Sequence, residues 1–204
     1  EAEFWLRISP DPNFRIEGPA FDREGNLFVT SPYHGLVLKI TPQKQVSVIS
    51  DDKRIRKIGC AIHKDGRLFF ACGTGELVSM NPDGSDIRFI TPRLNGKPQS
   101  MNDLVFDAQG NLYVTDFTGT LPHPTGGVYR FSSDFSSVDL ILDNLAGPNG
   151  ISLSPEGNAL WIGETFRNAI LRIALDDDGV TIARVDGVCY AYYSTGIPGG
   201  PDSN

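Results

Sequence analysis

The stretch NDLVFDAQGNLYVTD, residues 102–116, decides the fold. Two segments of alternating apolar residues flank an acidic turn that contains Gly110, and this pattern is typical of a β-hairpin. A third segment, GGVYRFSSD, and a weaker fourth, VDLILDN, follow along the chain. Four consecutive strands joined by turns predict one antiparallel sheet.

The same unit occurs four times in the sequence. Its turn glycines are Gly25, Gly66, Gly110 and Gly157, which lie 41, 44 and 47 residues apart. Repeats of about 40–50 residues with four strands each are typical of β-propeller blades. No segment with a helical period competes, so we predict an all-β propeller with almost no helix. The terminal GGPDSN resembles AGPNGI at residues 146–151 and reads as the opening of a fifth blade.

Composition and charge exclude several classes of partner. The 204 residues carry a net charge of −7 with acids and bases interspersed, which argues against a nucleic-acid partner. No apolar run approaches the roughly 18 residues of a membrane span, so we expect no membrane partner and a soluble protein, with the cytoplasm favoured but not fixed. Cys60, Cys72 and Cys189 are widely spaced and odd in number, so we expect buried thiols rather than a disulfide framework or a zinc site.

One position of the repeat carries oxygen-bearing side chains. Eight residues before the turn glycines lie Glu17, Ile58, Asn102 and Asn149, and Asp202 has the equivalent place in the fifth blade. The first strand of each blade lines the central channel, so these positions point towards one axis. A carboxylate with amide carbonyls suits a hard cation, best Ca²⁺. The alternative is that these residues only cap turns, and Ile58 breaks the pattern as an apolar wall.

Such a site could act as a Lewis acid. A cation that keeps part of its positive charge polarises a bound carbonyl group, and Asp202 is the candidate base that activates water. Asn102 would orient the water or the substrate. Strand alternation turns Asp103 away from the channel, and a catalytic role for Asp103 is the alternative. His123, between two prolines in a long loop, is either a surface residue or a substrate contact.

Two acidic residues share another register. Asp116 and Glu164 lie six and seven residues after their turn glycines, at the end of the second strand. We expect their carboxylates to accept hydrogen bonds from backbone N–H groups of the loops between blades. A structural calcium ion near Asp116 is the alternative.

The motifs EGPAFD, NDLVFDAQGNLYVTD, PNGISLSPEG and GPDS resemble the gluconolactonase, senescence-marker-protein and luciferin-regenerating-enzyme family. TDFTG, PTGGVYRFSSDF and LRIALDDDGVTI are most similar to its drug-responsive calcium-dependent lactonases. The resemblance implies a six-bladed propeller with a central divalent metal. It also implies Glu17, Asn102, Asn149 and Asp202 as metal ligands, adds Ser203 from the lactonase branch, and offers Asp202 as an alternative nucleophile.

The domain prediction follows from these repeats. Residues 1–4, EAEF, look like an expression scar, and residues 5–204 form a single propeller domain, truncated at its C-terminus, with four blades and the start of a fifth. We therefore expect self-association, or a C-terminal segment that completes the ring. The predicted function is calcium-dependent hydrolysis of a small lactone or related ester. The alternative is a non-catalytic binding scaffold with a stabilising metal.

Overall fold

The computed structural model describes residues 3–90, 100–179 and 182–190. Within these residues the chain is all-β apart from one turn of 3₁₀ helix, Thr165–Arg167, and no helix is long and apolar enough to cross a membrane. In chain order the strands are β1 (Glu17–Phe21), β2 (Leu27–Ser31), β3 (Leu36–Ile40), β4 (Val46–Asp51), β5 (Lys57–Ile62), β6 (Leu68–Cys72), β7 (Leu77–Met80), β8 (Arg88–Ile90), β9 (Met101–Phe106), β10 (Leu112–Asp116), β11 (Gly126–Phe131), β12 (Val138–Leu145), β13 (Pro148–Leu153), β14 (Ala159–Glu164), β15 (Ala169–Leu175) and β16 (Ile182–Tyr190).

The strands form four antiparallel sheets of four strands, each in chain order. Each sheet is one blade, and the prediction of a β-propeller with almost no helix is confirmed. The turn between the first two strands of each blade needs a left-handed residue. Gly25, Gly66, Gly110 and Gly157 supply it with φ values of 80°, 90°, 96° and 70°, as expected for glycine in such turns.

The first strand of each blade is the innermost one. Strand β1 contacts β5, β5 contacts β9, and β9 contacts β13, so neighbouring blades meet along their first strands. The second strands β6 and β10 are buried throughout, whereas the fourth strands β4 and β8 are mostly exposed. The starts of the first strands are therefore positioned beside one another along the inner wall.

Each blade packs on the next through an aromatic side chain at one register. The aromatic residues are Phe28, Phe69 and Tyr113. They pair with the residues three places after Glu17, Ile58 and Asn102, respectively, and they are 0%, 4% and 1% exposed. Each belongs to an apolar cluster shared with the following blade. Trp161 is the equivalent residue of the fourth blade and is 37% exposed. Among the described residues, the fourth blade has no further blade to cover this ring.

The opposite face of the first blade is covered by the N-terminal segment. Leu6, Ile8 and Phe14 pack against a buried cluster that includes Val29 and Leu38. The repeat pattern begins only at Glu17 and gave this segment no role. Its three apolar side chains remove from water a sheet face that would otherwise be exposed, which is favourable in proportion to the apolar area buried.

Candidate functional site

The blade topology places three features at one end of the molecule. Because successive strands are antiparallel, the start of the first strand lies at the same end as the loop between the second and third strands. The connection from the preceding blade also reaches that end. We call it the site end, defined by the starts of β1, β5, β9 and β13. Glu17, Asn102 and Asn149 all lie there.

A β-bulge interrupts every first strand at the site end. Asn102 and Asp103 of β9 together oppose one residue, Thr115, and Asn149 and Gly150 of β13 form an equivalent irregularity. Shifts of register occur at the matching places in β1 and β5. Bulges redirect side chains and are common beside functional sites. The strict alternation that we expected for these strands therefore fails at Asn102 and Asn149, whereas Glu17 stays paired with Thr30 and the shift in β1 follows it.

In the first two blades glycine follows the candidate position because the first strands approach closely. A Cβ added to Gly18 would lie 2.6 Å from both Cys60 N and Ile58 O, and one added to Gly59 would lie 2.5 Å from Asn102 O. These distances are too short for any side chain, and Gly18 also has a φ of +54°. At these glycines the backbones of neighbouring inner strands are therefore in direct contact.

Two threonines fix the same register between blades. Thr30 Oγ1 donates a 2.6 Å hydrogen bond to Ile58 O of the second blade. Its counterpart Thr115 donates a 2.7 Å hydrogen bond to Asn149 O of the fourth blade. Both threonines are fully buried, so each bond replaces water at a backbone carbonyl. These hydrogen bonds connect the second strand of one blade to the candidate ligand position of the next, and the repeat pattern did not predict them.

The three described candidate ligands carry oxygens of the kind that a hard cation takes. Glu17 is exposed and carries a carboxylate, while Asn102 and Asn149 are half-buried and carry amides. The Asn149 amide nitrogen donates a 3.2 Å hydrogen bond to Thr165 Oγ1, which leaves its amide oxygen as the atom through which it could bind a metal. Carboxylate and amide oxygens are the ligands that Ca²⁺ takes.

Two of the predicted ligands, Asp202 and Ser203, lie outside the described residues. Within the ranges that the structure describes, no group of three or more histidine, cysteine, aspartate and glutamate side chains is placed to hold a metal. That finding fits a set in which two of the three described members are asparagines.

Asp103 lies between three blades. It is 3% exposed, and its Oδ2 accepts a 2.9 Å hydrogen bond from Ile151 N of the fourth blade. Its Oδ1 would lie 3.0 Å from a Cβ on Gly59 of the second blade. Burial, and then the nearby Asp103 carboxylate, raise the pKa of the Cys60 thiol. The prediction that alternation simply turns Asp103 away missed this contact because the bulge replaces the alternation.

The prediction for the other two acids is confirmed. Asp116 Oδ1 accepts a 2.9 Å hydrogen bond from Ser100 N, and Glu164 Oε1 accepts a 2.7 Å hydrogen bond from Ala146 N. Ser100 and Ala146 lie in the connections that lead into the third and fourth blades. Arg167 also pairs with Glu164. Both carboxylates therefore hold the connections that precede Asn102 and Asn149.

The remaining residues singled out in the sequence are His123, Ile58 and the three cysteines. His123 is exposed, and its backbone forms a turn with Thr120 N and O at 2.9 and 3.1 Å; its role as a substrate contact stays a prediction. Ile58 is 9% exposed at the blade position that lacks an oxygen. Cys60 and Cys72 are buried free thiols, as expected, and the Cys189 side chain lies outside the description.

Two cavities lie at the opposite end from the candidate ligands. One, of about 470 Å³, lies between the hairpin turns of the first two blades and is lined by Asp22 and His63 among others. The other, of about 380 Å³, lies between the third and fourth blades beside Tyr113 and Arg130. Both are lined by turns that follow the ends of the first strands, so neither is part of the candidate site.

The chain is similar to known proteins over most of its length. The model of the SMP-30/Gluconolactonase/LRE-like region matches residues 15–203. Lactonase drp35 of Staphylococcus epidermidis is 40% identical over 208 residues, which is 99% of this chain and 63% of the relative. The chain therefore spans just under two thirds of the length of that relative.

Solved structures share the fold at lower identity. A gluconolactonase from Xanthomonas campestris superposes with a TM-score of 0.71 at 22% identity, over 87% of this chain and 62% of that one. The calcium-binding protein regucalcin from Agrobacterium tumefaciens gives a TM-score of 0.69 at 17% identity, over 86% and 59%. At these identities the likeness establishes the propeller architecture alone.

Proposed function

The chain belongs to the SMP-30/gluconolactonase/LRE-like family, and from this premise we propose that the protein opens lactones or related esters by calcium-dependent hydrolysis at the site end of the propeller. The observation that carries the proposal is the placement of Glu17, Asn102 and Asn149. All three occupy the start of an inner strand, in the first, third and fourth blades, and the inner strand β5 of the second blade lies between β1 and β9.

The support for calcium is the chemistry of this donor set. Glu17 would supply negative charge, and the amide oxygens of Asn102 and Asn149 would supply neutral ligands. Asp202 and Ser203 complete the proposed set on the strength of the sequence resemblance. The calcium-binding structural relative is in accord with a divalent metal in this fold. When bound, the ion would supply positive charge that polarises the lactone carbonyl.

The residues of the chain would perform the remaining tasks. Asp202 would remove a proton from the attacking water, and Asn102 would orient water or substrate by hydrogen bonding. The connections held by Asp116 and Glu164 would keep the starts of β9 and β13 in place while the substrate binds. Preorganised polar groups are effective in this way because they need not rearrange during the reaction.

A lactone screen with and without chelator tests the proposal. Acid release would be followed with a pH indicator for δ-gluconolactone and a simple γ-lactone, first with the full-length protein and then with Asn149→Ala. We expect hydrolysis that a chelator abolishes, that added Ca²⁺ restores and that Asn149→Ala strongly reduces. Asn158→Ala is the matched control, because Asn158 is exposed in a turn at the opposite end. Hydrolysis that is indifferent to chelator would contradict the metal-dependent proposal.

A non-catalytic scaffold with a stabilising metal is the second candidate. It is favoured by apolar side chains on the outermost strands, where Val48, Phe89 and Leu140 are 56%, 56% and 52% exposed. Exposed apolar side chains mark a binding surface where they form a contiguous patch of several hundred Å². The scaffold predicts that Ca²⁺ raises the thermal midpoint without hydrolysis of any lactone. The same screen, paired with melting curves, separates the two functions.

A further inference from the structure

The fourth-blade ligand position is held more tightly than its counterpart in the second blade. In both, a threonine of the preceding blade donates to the carbonyl of the ligand-position residue, Ile58 or Asn149. Only the third blade adds a side chain after its own ligand position. The other three blades have glycine there, whereas the third has Asp103.

Asp103 and Thr115 together enclose the bulge that contains Asn149. The backbone N–H of Asp103 donates a 3.0 Å hydrogen bond to Thr115 Oγ1, and Thr115 Oγ1 donates in turn to Asn149 O. Two residues further along β13, Ile151 N donates to Asp103 Oδ2 at 2.9 Å. The two interactions hold the backbone on both sides of Gly150. The first joins residues 34 positions apart in the chain, and the second joins residues 48 positions apart.

The environment makes the carboxylate bond a strong constraint. Asp103 and Ile151 are each 3% exposed, so water competes little for the N–H group. Hydrogen bonds to charged groups are stronger than those between neutral groups. Loss of the carboxylate would leave a buried backbone N–H without this acceptor, which is costly and would favour a shift of the bulge.

We propose that Asp103 is a positioning residue of the metal site: with Thr115 it fixes the bulge of β13 and so sets the position of the Asn149 amide at the site end. This inference rests on the proposed function. Groups that orient metal ligands without binding the metal typically affect affinity by about 10–100-fold when they are removed. Asp103 also places a buried negative charge directly beside Asn102 in sequence, which favours a bound cation.

Two substitutions separate the effect of the hydrogen bond between Ile151 N and Asp103 from the effect of the negative charge of Asp103. Asp103→Gly installs the residue that the other blades carry, so the backbone tolerates it while the carboxylate is lost. Asp103→Asn keeps an oxygen that can accept from Ile151 N but removes the charge. Asp139→Asn is the matched control, because Asp139 is an exposed aspartate on an outermost strand, β12.

Calcium affinity and amide exchange form the test, both measured on the full-length protein. Ca²⁺ dissociation constants would come from titration calorimetry, and hydrogen exchange at the Ile151 amide would be followed in chelator. We expect Asp103→Gly to weaken Ca²⁺ binding by about 10–100-fold and to accelerate exchange at Ile151. Asp103→Asn should retain slow exchange with an intermediate affinity, and Asp139→Asn should match the wild type.

The outcomes distinguish this inference from the proposed function. Wild-type affinity in both Asp103 variants would overturn the positioning role while leaving the metal site intact. Unchanged exchange at Ile151 in Asp103→Gly would also overturn it, since the hydrogen bond to Asp103 would then not restrain the backbone of β13. A wild-type protein that binds no Ca²⁺ would overturn the proposed function, and the positioning role with it.

Discussion

Replacing Lys57 by methionine should make the protein more stable. Lys57 begins the inner strand of the second blade and is 2% exposed. Its Nζ donates only a long hydrogen bond, 3.5 Å, to Asp52 O, and the described residues give it no ion pair. Burial lowers its pKa from the ordinary value, although Cys72, Asp52 and Asp51 oppose this change. A buried ammonium with one weak partner costs free energy that a methionine of similar length does not.

The expected gain is about 1–3 kcal/mol, the cost that mutational data give for burying a polar group without a compensating hydrogen bond. For a chain of this size each kcal/mol raises the Tm by about 2–4 °C. The pH dependence has a definite sign. Because the folded pKa of Lys57 lies below its unfolded value of 10.5, folding is penalised in full below the folded pKa. The penalty disappears as the pH rises from the folded pKa towards 10.5.

Thermal melts of wild type and Lys57→Met between pH 7 and pH 10.5 measure both effects. We expect the variant to melt higher at neutral pH and the difference to shrink as the pH rises. Lys53→Met is the control, because Lys53 is exposed and should change the Tm little at any pH. A variant that melts lower than wild type at pH 7, or a difference that does not depend on pH, would refute the reasoning.

Three further changes test other parts of the structure. Glu17→Gln should weaken Ca²⁺ binding more than Asn102→Asp, since the first removes a charge from a cation site and the second adds one; calcium titration giving the reverse order would count against the ligand assignment. Phe69→Ala should cost about 3–5 kcal/mol in denaturant unfolding, whereas Trp161→Ala should cost clearly less because its ring is 37% exposed; equal losses would argue against the blade-to-blade packing. Thr115→Val should lower stability by about 1–3 kcal/mol because it removes the hydroxyl that donates to Asn149 O. An unchanged unfolding midpoint would contradict a stabilising role for this hydrogen bond.

The repeats were predictable because each depends on local chemistry. Gly25, Gly66, Gly110 and Gly157 mark turns that need a positive φ, and alternating apolar residues mark the strands on either side. These signals fix four blades and the shared start positions of their first strands. The count of six blades remains a prediction, as does everything assigned to residues 191–204.

The fine geometry of the site could not be predicted in the same way. The bulge at Asn102 and Asp103 depends on how closely β5 and β9 approach, and that distance is set by the packing of whole blades. The glycine after Glu17, Ile58 and Asn149 was the available signal, since a glycine within a strand often marks a bulge. The contact of Asp103 with Ile151 joins two blades, so no local pattern contains it.

The most direct test of the central claim is to locate the bound metal. A crystal of the full-length protein soaked in Tb³⁺, a luminescent and anomalously scattering substitute for Ca²⁺, would give an anomalous difference map. We predict a single strong peak at the site end, with oxygens of Glu17, Asn102 and Asn149 within about 2.3–2.6 Å, the range for Ca²⁺ ligands. A strong peak elsewhere, such as at the acidic turn of residues 176–178, with no density at the starts of β1, β9 and β13, would contradict the account.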